Sequence, residues 1–140
     1  MHQDETAAST QAGAEEVLAV LSALFVAISN RDEAVLREIL MPEGISTHVR
    51  DGRIFHVRFA DLPGRWVAGA RHIEERIREP IVYVDENIAV VWVGYDVYVD
   101  GEAHNWGTNI VSFCKQDERW RISGIADNGR PGSRPSPENG

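Results

Sequence analysis

Residues 103–109, with the sequence AHNWGTN, hold several side chains that could bind or transform a small molecule. Asn105 and Asn109 share one face of a predicted strand, because side chains alternate along a strand. Their amides could orient a ligand carbonyl or hydroxyl, or hold a developing oxyanion. They could equally be buried amides bonded to neighbouring backbone. His104 could be an acid or a base, but alternation directs it to the outer face, which favours an exposed or interface histidine.

Two carboxylates lie near the ends of predicted strands. Asp96, facing an apolar cavity, could have a raised pKa and act as a general base. We favour the simpler interpretation of a solvated side chain at the rim, because most carboxylates that look perturbed prove structural. Asp127 ends the last predicted strand, where it could line the mouth of a pocket or hydrogen-bond Thr108 or a nearby amide.

The aromatic residues Trp92, Tyr95 and Trp66 could stack on a flat ligand, although aromatic side chains on strands more often belong to the core. No pair of His or Cys residues has the spacing of metal ligands, so the sequence predicts no metal site. It also contains no phosphate-binding loop, dinucleotide fingerprint or nucleophile elbow, so no cofactor is predicted.

Hydrophobic spacing predicts helices first and strands afterwards. Residues 14–29 repeat apolar side chains at helical spacing, and residues 31–40 predict a second, shorter helix. β-rich runs on both sides of the DG pair at 51–52 predict a hairpin. The remaining predicted elements are a short helix or helical loop over 60–71, a run over 72–85 that ends as a strand, and strands over 87–99, 103–115 and 120–127. This order is typical of an α+β fold with helices on one face of an antiparallel sheet.

The DG pair at 100–101 is predicted to form a two-residue turn between the two longest strands. Counting back from this turn places Asp96 opposite Asn105 and Trp92 opposite Asn109. These four side chains would then share a pocket whose hydrophobic floor lies under the two helices. A one-residue slip or a bulge in this pairing would exchange the two faces.

The other face of the same strand pair is also apolar. Its residues over 91–99 are all Val or Tyr, whereas a monomeric antiparallel sheet usually has one wet face. We therefore predict a homodimer through the outer face of the sheet.

The bulk composition narrows the class of protein. A chain of 140 residues suits one domain, which we expect over 14–128, with disordered tails at 1–13 and 129–140. A net charge of −8 disfavours nucleic acid or an anionic membrane as the main partner, and no apolar run approaches the length of a membrane span. The single cysteine, Cys114, excludes an intrachain disulfide and favours the cytoplasm.

Two stretches and the hairpin between them carry a family resemblance. The stretches are AISNRDEAVLREIL and DENIAVVWVGYDVYVDGEAHNWGTNIVSFCKQDERWRISGIAD. The chain resembles the nuclear-transport-factor-2-like superfamily over about residues 14–128, and especially its small SnoaL-like or lumazine-binding-like bacterial members. The resemblance implies a cone-shaped barrel of a strongly curved, mostly antiparallel sheet packed on two to three helices, with a central cavity and a dimer through the sheet. Related members often carry a histidine just before the glycine of this strand, where this chain has Asn105 with His104 beside it.

Two functions remain open from the sequence. The first is cofactor-free acid–base chemistry of the isomerase, dehydratase or cyclase type on a small hydrophobic or aromatic ligand. Asp96, His104 or Asp127 would be the base, and Asn105 or Asn109 would hold the oxyanion. The alternative is a non-catalytic module for ligand binding, dimerisation or interaction with another protein.

Overall fold

A computed structural model of the protein describes the backbone of residues 2–67 and 71–135 and the side chains of residues 10–64 and 71–135. The elements in chain order are α1 (His2–Asn30), α2 (Glu33–Ile39), β1 (Leu40–Arg50), β2 (Arg53–Arg58), α3 (Leu62–Val67), β3 (Ile73–Asp85), β4 (Ile88–Val99), β5 (Glu102–Gln116), β6 (Arg119–Asp127) and β7 (Arg130–Pro131).

Helix α1 begins at His2 instead of at residue 14, so the described part of the expected N-terminal tail is helical. The segment 2–13 contains three Ala and two Gln, which extend a helix readily. Residues 10–30 are long and apolar enough to cross a membrane by length and composition alone. One face of the same stretch packs into the protein core through Val17, Leu21, Leu24 and Ile28, which is how a core helix of a globular domain is used.

The sheet confirms the predicted α+β class. Its strand order is β2-β1-β6-β5-β4-β3, and every neighbouring pair in this order is antiparallel except β1 with β6, which is parallel. The sheet is open, with β2 and β3 at its edges, so the barrel expected from the resemblance does not close. Helix α1 packs on the inner face, where Val91, Val111, Phe113 and Ile122 are buried in the core.

A β-bulge in β5 changes the predicted pairing with β4. Tyr98 pairs with Ala103 as expected for a two-residue turn, but Val97 then pairs with Asn105, leaving His104 as the extra residue. The expected pairs of Asp96 with Asn105 and of Trp92 with Asn109 are therefore wrong.

Because of the bulge, the side chains of β4 point to the faces of the sheet opposite to those predicted. Asp96 pairs with Trp106 and Trp92 pairs with Ile110, so Asp96 and Trp92 face outward, away from Asn105 and Asn109. The alternating residues of β4 that were expected to form the outer face are instead buried inside. They are Val91, Val93, Tyr95 and Val97.

The outer face nevertheless carries exposed apolar side chains. Ile81, Trp92 and Ile110 lie side by side on β3, β4 and β5 and are 50%, 53% and 41% exposed. Tyr83 continues this patch along β3 and is 68% exposed. We call these four residues the outer patch.

The chain after β6 folds back along β5. Strand β7 pairs with the segment that follows the bulge, and the amide of Gly132 donates to the His104 carbonyl at 2.9 Å. The Arg130 guanidinium lies 4.2 Å from the centre of the Trp106 ring, an attractive cation–π arrangement. The segment from residue 129, expected as a disordered tail, thus contains a short strand paired with β5. Residues 68–70 of the predicted third helix and 136–140 of the predicted tail lie outside the described residues.

Candidate functional site

A cavity of about 240 Å³ lies between α1 and the inner face of the sheet. Its apolar wall comes from helix and strand residues that share the core-facing side of their elements, namely Leu24, Phe25, Ile28, Ile73, Val97, Val99, Val111 and Ile125. Its polar side is built from Ser46, His48, Arg50, Glu75, Tyr95, His104, Asn105, Asn109 and Asp127. An apolar wall with a few convergent polar groups is the usual make-up of a small-molecule site.

Strand alternation and register bring the polar residues together. Ser46, His48 and Arg50 lie at alternate positions of β1 and so point to one side of the sheet. The parallel pairing of β1 with β6 sets His48 beside Asp127, and Asp127 in turn pairs with Asn109 on β5. Three neighbouring strands therefore contribute one polar row.

Asp127 accepts several hydrogen bonds at the centre of this row. The His48 Nδ1–H donates to Oδ2 at 2.7 Å, and the Gly129 amide and the Tyr95 hydroxyl each donate to Oδ1 at 3.2 Å. The Arg50 guanidinium forms an ion pair with Oδ1. Burial alone would raise the pKa of Asp127, but the donors from His48, Arg50 and Gly129 outweigh it and lower this pKa to about 2.

The tautomer of neutral His48 follows from this ionised partner. A carboxylate can only accept hydrogen bonds, so the Nδ1 atom of His48 carries the proton. The Nε2 atom is then an acceptor, and the Ser46 hydroxyl lies 2.8 Å from it. The Phe55 ring stacks on the imidazole with the ring centres 5.0 Å apart. The imidazole is thus held from both edges and from one face.

Glu75 experiences the opposite environment in the same cavity. Its side chain is half-buried and makes no hydrogen bond with any residue that the structure describes. Burial, and then the negative charge of Asp127, raise the pKa of Glu75 to about 7. Val97 pairs with Glu75 on one side and with Asn105 on the other, so the carboxyl and the amide share a second row of the inner face.

Tyr95 is a buried donor to Asp127. It is 3% exposed, and burial together with the charge of Asp127 raises the pKa of its hydroxyl. The hydroxyl therefore stays protonated. The sequence allows Tyr95 either to stack on a ligand or to belong to the core, and in the structure it is buried and its hydroxyl holds the Asp127 carboxylate.

The two asparagines do line the cavity. Asn109 is only 7% exposed, and its side chain makes no hydrogen bond within the described part of the chain. Asn105 lies near the mouth, with its Nδ2 atom 2.8 Å from the His104 Nδ1 atom. Because the bulge occurs at His104, this histidine also lines the cavity instead of facing outward as predicted.

The structure separates Asp96 and Trp92 from the cavity. The Asp96 carboxylate accepts a hydrogen bond from Arg78 Nε at 2.9 Å on the outer face and lies 3.9 Å from Arg134 Nε. Trp92 belongs to the outer patch. The backbone of Trp66 lies in α3, but its side chain is outside the described residues.

Four cavity residues were missed in the sequence. They are Ser46, His48, Arg50 and Glu75. The alternation of polar residues in ISTHVR was a signal that the three on β1 share a face, but nothing in the sequence indicated that β1 lies beside β6. Within the described residues, no group of three or more His, Cys, Asp or Glu side chains could hold a metal ion.

Comparison with known proteins matches residues 12–124 to the family described as "Putative lumazine-binding". An NTF2-like protein of unknown function from Silicibacter pomeroyi is 16% identical, with a TM-score of 0.67, covering 83% of this chain and 94% of that one. An NTF2-like protein from Cytophaga hutchinsonii is 15% identical, with a TM-score of 0.71 and coverage of 81% and 95%.

A third solved structure, an NTF2-like protein with a cystatin-like fold from Novosphingobium aromaticivorans, is 16% identical. Its TM-score is 0.71, and the match covers 85% of this chain and 82% of that one. None of the curated proteins compared with the chain matches it. At these identities the solved structures are similar in fold, and the cavity chemistry has to be argued from this chain's own residues.

Proposed function

The chain belongs to the lumazine-binding-like family of the nuclear-transport-factor-2-like superfamily, and we propose that it binds a small hydrophobic or aromatic molecule in its cavity and catalyses proton transfer on it without a cofactor. The reaction type is isomerisation, dehydration or cyclisation, in which a proton leaves a carbon beside a carbonyl group. Glu75 is the general base in this proposal.

The single observation that carries the proposal is the contrast between Glu75 and Asp127. A pKa of about 7 leaves the Glu75 carboxyl close to half ionised at neutral pH, which suits a group that must both take up and return a proton. Asp127, with a pKa of about 2, stays ionised throughout. Two carboxyl groups in one site with separated pKa values are a frequent sign of an acid–base pair with divided roles.

The amides supply the second requirement of this chemistry. Removing a proton beside a carbonyl places negative charge on the carbonyl oxygen, and a fixed N–H donor stabilises that charge. The Asn109 side chain lines the cavity and makes no hydrogen bond with any described residue, so a ligand oxygen is a suitable acceptor for its amide. Asn105 shares its row with Glu75 and offers a second donor near the mouth.

The size and lining of the cavity restrict the ligand. A volume of about 240 Å³ lies slightly below the range of typical drug-sized pockets, so a molecule of one to three rings fits best. The description of the family names lumazine, a flat heteroaromatic ring system with carbonyl groups. Such a molecule combines the apolar faces and the polar edge that this lining would accept.

The test is hydrogen exchange in deuterated water. A thermal-shift screen with hydroxylated aromatic ketones and pterins first selects ligands, with four-ring steroid ketones as the test of the size limit. NMR then follows deuterium incorporation at carbon next to their carbonyl groups. We expect Glu75→Gln to slow the exchange by about 100-fold or more, and Glu74→Gln, a neighbouring carboxyl on the opposite face, to leave it unchanged. A ligand that shifts the melting temperature without any catalysed exchange would favour the alternative of a non-catalytic binding module.

We further propose a homodimer through the outer patch, because a row of apolar side chains this exposed is usual for an interface. The acidic net charge of −8 argues for partners other than nucleic acid or an anionic membrane. A single cysteine suits the cytoplasm, which we propose as the location.

A further inference from the structure

We propose that Ser46, His48 and Asp127 form a nucleophilic triad that gives this protein a second activity, the hydrolysis of small carboxylic esters in the same cavity. This goes beyond the proposed proton transfer, because it uses a different set of side chains and a covalent intermediate. Glu75 takes no part in it.

The distances are those of a working triad. The Ser46 Oγ and His48 Nε2 atoms are 2.8 Å apart, and the His48 Nδ1 and Asp127 Oδ2 atoms are 2.7 Å apart. A nucleophile bonded to a base, with the base oriented by a third group, is the general signature of an activated hydroxyl. The same constellation occurs on unrelated folds, so it is recognised by geometry and not by chain order.

The direction of the hydrogen bonds is also correct. Asp127 is ionised and accepts from Nδ1, so neutral His48 presents the lone pair of Nε2 to the Ser46 hydroxyl. The hydroxyl therefore donates to the imidazole, which is the arrangement in which a base can remove the serine proton. With the tautomer reversed, the imidazole would donate to Ser46 and could not activate it.

The supports of the triad are rigid. Ser46 and His48 lie two residues apart on β1, and the register of β1 with β6 sets His48 against Asp127. Asp127 is itself fixed by Arg50, Tyr95 and the Gly129 amide, as described above. Sites built on strands hold their geometry better than sites on loops.

In the described part of the chain, the nucleophile is reached from the cavity. Ser46 is 1% exposed to solvent, yet it lines the cavity. An ester must therefore enter the cavity to be attacked, which restricts the substrate to a short acyl group. The amide of Asn109, on the strand next to Asp127, lines the same cavity and is the oxyanion donor in this proposal.

The reaction balances without a cofactor. The Ser46 oxygen adds to the ester carbonyl carbon while its proton moves to Nε2 of His48. The carbon–oxygen bond to the alcohol breaks, and the alcohol leaves with that proton. Water then adds to the acyl-serine with His48 as base, the acyl–serine bond breaks, and the carboxylic acid is released with Ser46 restored.

The experiment uses the full chain with p-nitrophenyl acetate as substrate and an alkyl fluorophosphonate as active-site label. We expect the label to add to Ser46 with loss of fluoride, which mass spectrometry of the digested wild-type protein locates directly. Ser46→Ala should lose the labelling and about 100-fold or more of the ester hydrolysis. Thr47→Ala is the matched control, because this neighbouring hydroxyl bonds His56 on the other face, and it should behave as wild type.

Several results would overturn the triad. Label found on another residue of the wild-type protein, or no label at all, would do so even if Ser46→Ala failed to fold. Equal hydrolysis by wild type and folded Ser46→Ala would do the same. Labelling of Ser46 and deuterium exchange beside a ligand carbonyl are separate readouts, so the triad and the proton-transfer proposal can fail separately.

Discussion

Asp127 and Glu75 line one cavity, and the permanent charge of Asp127 helps to keep Glu75 protonated. The difference lies in their hydrogen bonds. Asp127 accepts from His48, Arg50, Tyr95 and the Gly129 amide, whereas Glu75 has no donor among the described residues. The pKa of Asp127 therefore lies below its ordinary value and the pKa of Glu75 lies above its ordinary value. Each group makes a distinct contribution to stability.

Glu75 is expected to reduce stability above neutral pH. Its pKa in the folded protein, about 7, exceeds the ordinary value of 4.5, so the folded state holds this proton more tightly than the unfolded state does. Tighter binding of this proton stabilises the folded state. This stabilisation is fully present below pH 4.5 and is lost as the pH rises through 7. Glu75→Gln should raise the free energy of unfolding at pH 8 by roughly 2–3 kcal/mol.

Urea denaturation at pH 5 and pH 8 measures this effect. At pH 5 the variant should differ little from wild type, because the wild-type carboxyl is already protonated there. Glu74→Gln serves as the control, since Glu74 is bonded to Arg76 on the other face and has a lowered pKa. An equal change in the free energy of unfolding at both pH values would show that the pKa of Glu75 is not raised.

Asp127→Asn should destabilise the protein at neutral pH by about 2–4 kcal/mol, because it leaves His48 and Arg50 without their charged partner. The folded pKa is depressed from 3.8 to about 2, so the carboxylate contributes its full stability above pH 4 and loses it as the pH falls through 2. The loss in the variant should therefore shrink towards pH 2. Asp96→Asn, whose carboxylate lies on the outer face, should show a smaller effect at neutral pH.

Trp92→Lys should convert a dimer into a monomer, because it places a charge in the middle of the outer patch. Size-exclusion chromatography with light scattering reads out the mass directly. Val26→Lys is the matched control, since Val26 is similarly exposed at 58% but lies on α1. A wild-type protein of 15.6 kDa in solution at all concentrations tested would contradict the proposed interface.

Gly44→Ala should destabilise the protein by several kcal/mol, on the scale of other overpacked core positions. A Cβ atom at this position would run into the Phe59 ring and lie 2.7 Å from the Ser123 carbonyl oxygen. Gly64→Ala is the control, because nothing lies within 4 Å of a Cβ there and alanine favours the helix. Thermal unfolding followed by circular dichroism compares the two, and equal melting temperatures would refute the close packing.

Local signals predicted much of this fold. Both DG pairs form the expected turns, with positive φ at Asp51, Gly52, Asp100 and Gly101, because this pair tolerates the left-handed conformation. Pro80 lacks the amide donor that a central strand needs, and it lies in the edge strand β3 at a register shift between Arg78 and Ile81. The preference of a residue pair for a turn and the missing amide donor of proline both act over a few residues. Sequence patterns can therefore detect them.

The site could be predicted only in part, because two non-local features build it. The bulge at His104 has no glycine or other marker, so the two faces of β4 were assigned the wrong way round. The parallel contact of β1 with β6 joins residues 79 positions apart in the chain, and no local pattern encodes that partner. The sequence predicts Asn105 and Asn109 in the cavity and leaves Asp127 open between its mouth and a bond to Thr108 or an amide, whereas only the structure places His48 and Glu75 there.

The bulge at His104 has a consequence for how distant relatives should be compared. Between the turn and His104, β4 and β5 pair in the register of a two-residue turn. Beyond His104, the pairing is shifted by one residue. Suppose a relative lacks this extra residue and is aligned to this chain from the β4–β5 turn without a gap. Along most of β5, residues that line the cavity in the relative would then be aligned with residues on the outer surface of this chain. At identities of 9–16%, alignments of the family should therefore be anchored on the β5–β6 pairing, where Asn109 meets Asp127, and a gap should be allowed at position 104.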